Sequence, residues 1–111
     1  MKLDELKNIL EATGFPVAYS HFTETENDPL PQPPFIIYLA AFSSNFMADN
    51  KVHIPIDNVQ IELYTRRKDL EAEAILEAVL NDHEIPYQTA ESYISSEDLY
   101  QKIYEMRVIN G

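Results

Sequence analysis

The chain has no cysteine among its 111 residues. That excludes a disulfide framework, a thiolate metal site and a cysteine nucleophile. It is compatible with a reducing cytoplasm. Only two glycines are present, Gly14 and Gly111, so no glycine-rich loop is available to cradle a phosphate. Basic residues are scarce: 8 Lys and Arg stand against 19 Asp and Glu, a formal net charge of −11. Binding to nucleic acid through its phosphates needs Lys and Arg, so it is not expected here. No apolar run approaches the ~20 residues that a membrane-spanning helix needs. The first residues, Met1 to Glu5, are polar and charged, and no signal peptide is expected.

Catalytic constellations are missing too. The three histidines, His21, His53 and His83, have no metal-ligand spacing. Asp82, His83 and Glu84 are adjacent, and adjacent side chains do not converge on one ion without a special loop. Ser43, Ser44, Ser95 and Ser96 lack the strand–turn–helix context of a nucleophile elbow. Glu62 and Glu105 could meet across paired strands for acid–base work, but exposed strand positions explain them more simply. No enzyme activity, metal or cofactor is expected.

What is present is a long stretch of strand character, Phe35 to Thr65. It opens on the apolar run Phe35-Ile36-Ile37-Tyr38-Leu39. It closes on clean alternation, with Val59, Ile61 and Leu63 on one face and Gln60, Glu62 and Tyr64 on the other. Such alternation turns one face to a core and the other to water or a partner. Ala48 to Lys51 between them is polar turn chemistry. The pattern predicts a long antiparallel hairpin with a projecting tip. Pro55 lacks an amide donor and marks an edge, a bulge or the start of a new strand in the return arm.

The other elements read as cover for this hairpin. Lys2 to Thr13 carries Leu3, Leu6, Ile9 and Leu10 at helical spacing, and Gly14 is a natural stop. Val17 to Phe22 reads as a short strand. Thr23 to Pro34 holds four of the seven prolines and reads as a surface loop. Leu70 to Asp82 reads as a second helix capped by Asp69. Its expected buried stripe is Leu70, Ala74, Leu76, Val79 and Leu80, with Glu71, Glu73 and Glu77 on the wet face. Ile85 to Ala90 and Leu99 to Ile109 read as two last strands, with the turn between them inside Glu91 to Asp98. A chain of this length makes one domain, 1–111. Helices and strands do not alternate regularly. The expected class is α+β, an antiparallel or mixed sheet with two helices packed on it.

Several segments resemble a known family. They are Asp49-Asn50-Lys51-Val52, Gln60 to Thr65 followed by Lys68-Asp69, Ile85-Pro86-Tyr87, and Glu91 to Tyr104. In order and spacing they resemble small tail-completion, or tail-terminator, proteins of siphophages and of prophages of Gram-positive bacteria. The likeness covers roughly the C-terminal two thirds, and the N-terminal third is similar in layout only. None of these segments is a catalytic motif. The resemblance implies a structural virion protein at the neck, made in the bacterial host cytoplasm. It implies a homo-oligomeric ring, typically a hexamer, that caps the tail tube and meets the head connector while DNA passes through. An acidic protein suits such a channel, because like charge keeps DNA from sticking. Candidate contact residues are the tip, Phe46, Met47, Asp49, Asn50 and Lys51, the outward Tyr64, and the basic corner Arg66, Arg67 and Lys68. A head-completion or stopper protein is the neighbouring reading. An acidic, DNA-mimicking binding protein is the reading from another class.

Overall fold

A computed structural model describes residues 2–24, 29–43, 45–48 and 50–109; at 46–48, 52–54 and 109 it describes the backbone alone. The element order is α1 (Leu3–Glu11), β1 (Val17–Tyr19), β2 (Phe35–Ser43), β3 (Phe46–Ala48), β4 (Lys51–Ile54), β5 (Ile56–Thr65), α2 (Leu70–Asp82), β6 (Gln88–Ile94) and β7 (Leu99–Ile109). Five strands form a mixed sheet in the order β1-β2-β5-β7-β6. β1 runs parallel to β2, and the remaining pairs are antiparallel. The fold is α+β.

β5 is the centre of the sheet because it alternates most strictly. Val59, Ile61 and Leu63 are fully or almost fully buried. Opposite them lie Ile36 and Tyr38 on β2, and Tyr104 and Met106 on β7. Leu6 and Leu10 from α1 and Ala72, Leu76 and Leu80 from α2 complete the same core cluster. Both helices therefore cover one face. Removing these side chains from water is the main stabilising term, at about 1.5–3 kcal/mol for each large one.

The expected hairpin is divided in two. β2 and β5 pair from Phe35–Tyr64 to Ser43–Asp57, with a register shift between Ala40 and Phe42. Beyond that, β3 and β4 form a separate two-stranded ribbon with its own shift. A single long ladder is thus not what this stretch makes. Pro55 falls in the break between β4 and β5, where its missing N–H costs no ladder bond. The Asn45 side chain accepts from the Ile56 N–H at 3.0 Å and closes the ribbon's base.

The second helix has the expected bounds, but its faces differ from the expectation. Leu70 is 71% exposed and Ala74 is exposed, while Glu73 is only 6% exposed. The buried stripe is Ala72, Glu73, Leu76 and Leu80. The cause lies on the sheet. Lys102 on β7 donates to Glu73 at 2.9 Å and lies 3.5 Å from Glu77. Lys68 pairs with Glu73 at 2.9 Å and also with Glu91 on β6. Tyr104, fully buried, donates its hydroxyl to Glu77 at 2.9 Å. The cations turn the glutamate face inward, and a rotation set by hydrophobicity alone does not foresee that.

Asp69 does cap α2. Its carboxylate accepts from the Ala72 N–H at 3.0 Å. Asp69→Ala is expected to destabilise the fold by about 1 kcal/mol, read as a lower urea midpoint at an unchanged slope. The last strands also shift. β6 begins at Gln88 and runs on to Ile94, in place of the expected Ile85 to Ala90, and the turn falls on the polar stretch Ser95 to Asp98. Gly14 ends the first helix with φ +84°, which a side chain would oppose. Among the described residues, Ser20, Asn50, Glu84 and Asp98 also reach positive φ without glycine.

Candidate functional site

Pairing register fixes which residues share the sheet face away from the helices. One row across the strands is Phe35, Tyr64, Gln101 and Ser92. The next is Ile37, Glu62, Ile103 and Ala90, and the third is Leu39, Gln60, Glu105 and Gln88. Among the described residues no helix lies on this face. It is neither a polar outer face nor a sealed core. Phe35, Ile37, Leu39 and Ile103 are apolar and only partly exposed.

The polar residues in these rows bond to one another. Gln101 donates to the Tyr64 hydroxyl at 2.9 Å and to Glu62 at 3.2 Å. Tyr64 donates to Glu62 at 3.2 Å, and Ser92 donates to Gln101 at 2.9 Å. Burial raises the Glu62 carboxyl above its ordinary value, against the lowering effect of the Tyr64 hydrogen bond. Burial, and then the Glu62 charge, push Tyr64 up to about 12. Tyr64 thus stays a protonated donor at neutral pH. The set holds its hydrogen-bonding groups in fixed places on the open face.

Tyr64 does lie on the outward face with Gln60 and Glu62, as the alternation implies. It is partly covered there: its ring stacks on Phe35 at 5.1 Å, and Phe35 meets Phe22 edge-on at 5.5 Å. Glu105 lies opposite Gln60, not opposite Glu62, so the two carboxylates are diagonal neighbours. The proline-rich loop leans over this end of the face. Phe22, Leu30, Pro31 and Pro33 with Phe35, Ile37 and Leu99 line an open cleft of about 320 Å³, and Arg66 and Glu97 supply its charges. The Arg66 guanidinium donates to Gln32 at 2.7 Å and fastens the loop. At the opposite end of the strands, Phe42, Asn58, Tyr87, Met106 and Arg107 line a second cleft of about 710 Å³.

The sequence-derived contact residues fall in three places. Tyr64 is on the open face. Arg66, Arg67 and Lys68 follow β5 and are exposed, but Arg66 is tied to Gln32, and Lys68 is tied to Glu73 and Glu91. Hydrogen bonds to Glu73 and Glu91 raise the Lys68 ammonium above its ordinary value. Of the tip, Phe46 and Met47 belong to β3, and Asn50 and Lys51 are exposed at the turn into β4. Asp49 lies outside the described residues. Arg66 lines the cleft at the Tyr64 end of the open face with Phe35 and Ile37, so the basic corner borders that face, while Asn50 and Lys51 lie at the turn into β4. The hydrogen-bonded group of Glu62, Tyr64, Gln101 and Ser92 was hidden in sequence, because it joins three strands through register. No group of three His, Asp or Glu side chains suited to a metal occurs among the described residues. Neither a known protein-family model nor a curated protein matches this chain.

Proposed function

We propose that this chain is a structural subunit of a phage or prophage neck, a tail-terminator or tail-completion protein that forms a ring on the tail tube and joins it to the head. One observation carries the reading: among the described residues helices cover one side of the sheet only, and its other face keeps Phe35, Ile37, Leu39 and Ile103 partly exposed among hydrogen-bonding groups. Apolar side chains gathered on an open face are a feature of interaction sites. The resemblance of the C-terminal two thirds to tail-completion proteins supports the same reading, as does the net charge of −11, which repels passing DNA. A ring needs two different surfaces on each subunit, and the separate tip and open face supply a pair.

The test is electron microscopy of a lysate from a prophage with this gene deleted. Filled heads apart from tails, with tails of abnormal length, are the expected result. Emptied heads beside tails of normal length would transfer the protein to head closure. Intact virions would overturn a neck role and leave the acidic-mimic reading in its place.

A further inference from the structure

Two parts of the fold are incomplete within one chain. The first is β6. It pairs with β7 alone, over seven residues without a register shift, and its other edge has no strand beside it among the described residues. Six of its seven residues are exposed. Sheets usually guard such an edge with proline, lysine, a bulge or extreme shortness. β6 reads Gln-Thr-Ala-Glu-Ser-Tyr-Ile: it has no proline, lysine or register shift, and its one charged side chain, Glu91, is taken up by Lys68. The opposite edge, β1, is three residues long and guarded by shortness.

The second is the ribbon of β3 and β4. It is a sheet of two strands, separate from the main one. Two strands alone are marginally stable in water, and a third is what stabilises them. Charge favours the match between the two parts. Lys51 is exposed at the start of β4. Glu97 and Asp98 are exposed in the turn that follows β6, with Asp98 accepting from Tyr93, while Glu91 in mid-strand is exposed but already pairs with Lys68.

We propose that β4 of one copy adds to the β6 edge of a second copy, so that ribbon and sheet become continuous across the boundary between chains. Main-chain N–H and C=O groups of 51–54 then pair with those of 88–94, and Lys51 meets the acidic side of the edge. Donor and acceptor surfaces differ, so the contact runs head to tail and closes into a ring when the rotation permits. Only that closure rests on the ring-subunit reading. Strand addition itself stands on the free edge and the two-stranded ribbon.

A chain without cysteine makes the test clean. His53→Cys or Val52→Cys is combined with Ala90→Cys or Ser92→Cys in one chain, and each double variant is oxidised mildly at a protein concentration on the order of 100 μM, where mass action favours assembly. A disulfide requires Cα atoms within about 7 Å, so only chains in strand contact cross-link. The expected result is a ladder of dimers, trimers and larger species on non-reducing gels for at least one pair, with the single variants monomeric. Amide exchange of the unmodified protein should slow at 88–94 as concentration rises. A dimer from Ser92→Cys or Ala90→Cys alone would overturn the proposal in favour of β6 pairing with itself. Monomers with no cross-link in any pair would overturn it outright. Rings seen in the microscope with unchanged exchange at 88–94 would overturn it while leaving the ring reading intact. A ladder from a protein whose deletion leaves virions intact would uphold strand addition and remove the neck role.

Discussion

Glu73→Ala is expected to lower stability by about 2–4 kcal/mol, because it leaves two ammonium groups without their shared partner in a largely covered site. Glu73 is 6% exposed and binds Lys102 and Lys68, both at 2.9 Å. The cost falls toward the lower end, since the Lys68 side chain is 41% exposed and water replaces part of what it loses. Lys102 has less access to water and keeps Glu77, at 3.5 Å, and the face of the Tyr104 ring, at 5.4 Å. Urea unfolding measures the loss; a change within about 0.5 kcal/mol, the scatter of ordinary surface substitutions, would show that the cluster does not hold α2. The double variant Glu73→Leu/Lys102→Met should regain most of the lost stability, since apolar groups of similar size often replace a buried pair without loss.

The same cluster gives a pH signature. Burial raises the Glu73 carboxyl, but the hydrogen bonds and charges of Lys102 and Lys68 outweigh it and hold the carboxyl below its ordinary 4.5. A depressed carboxyl stabilises the fold above the unfolded value and loses that contribution as pH falls through the folded one. Lys102 is shifted the other way: burial lowers it, yet Glu73 and Glu77 leave it above 10.5. Its contribution is present below 10.5 and is lost as pH rises through the raised value. The advantage of the wild type over Glu73→Ala should therefore be flat near neutrality and shrink below pH 4.5. An advantage that persists in acid would show that packing, not charge, is what the alanine removes.

The second large effect is expected at the first helix. Leu10→Ala should cost about 2–5 kcal/mol, with Leu6→Ala in the same range. Both leucines are fully buried. The helix has nine residues and no side-chain cap at its start, since Lys2 makes none. A helix this short is marginal alone and persists by docking. Ile9→Ala, at a partly buried position, serves as the comparison and should cost clearly less. Equal losses for Leu10 and Ile9 would mean that depth of burial does not set the cost, since alanine has the higher helix propensity and propensity cannot account for a loss.

Elements of strong periodicity could be read in the sequence. α2 and β7 have the expected bounds because period 3.6 and period 2 are unbroken along them, and the α1 stripe of Leu6 and Leu10 is the buried one. What failed depends on partners distant in sequence. Glu73 reads as solvent-facing until Lys102 and Lys68 are placed beneath it. Glu91 to Ile94 reads as a loop until β7 supplies hydrogen bonds. The division of the hairpin follows from Pro55: of the edge, bulge or new strand that its missing N–H allows, the structure makes the new strand, β5. The strand expected over Val17 to Phe22 ends at Tyr19, where Ser20 turns to φ 68°, and its parallel pairing with β2 is not legible, since nothing local encodes it. The open face was half legible: alternation placed Tyr64 and Glu62 on it, and only register brought Gln101 and Ser92 to them.

The left-handed corners have an evolutionary consequence. Asn50 and Asp98 have short polar side chains that tolerate that region, at φ 61° and 52°. Glu84, at φ 55°, has no such help, and a residue of its kind there costs roughly 1–2 kcal/mol. A lineage that drifts to asparagine at this corner gains part of that cost back without touching the core or either sheet face. The corner is therefore a reserve of tolerance. A subunit whose contact surfaces must change to follow a changing partner can draw on it, absorbing a damaging substitution elsewhere while staying folded.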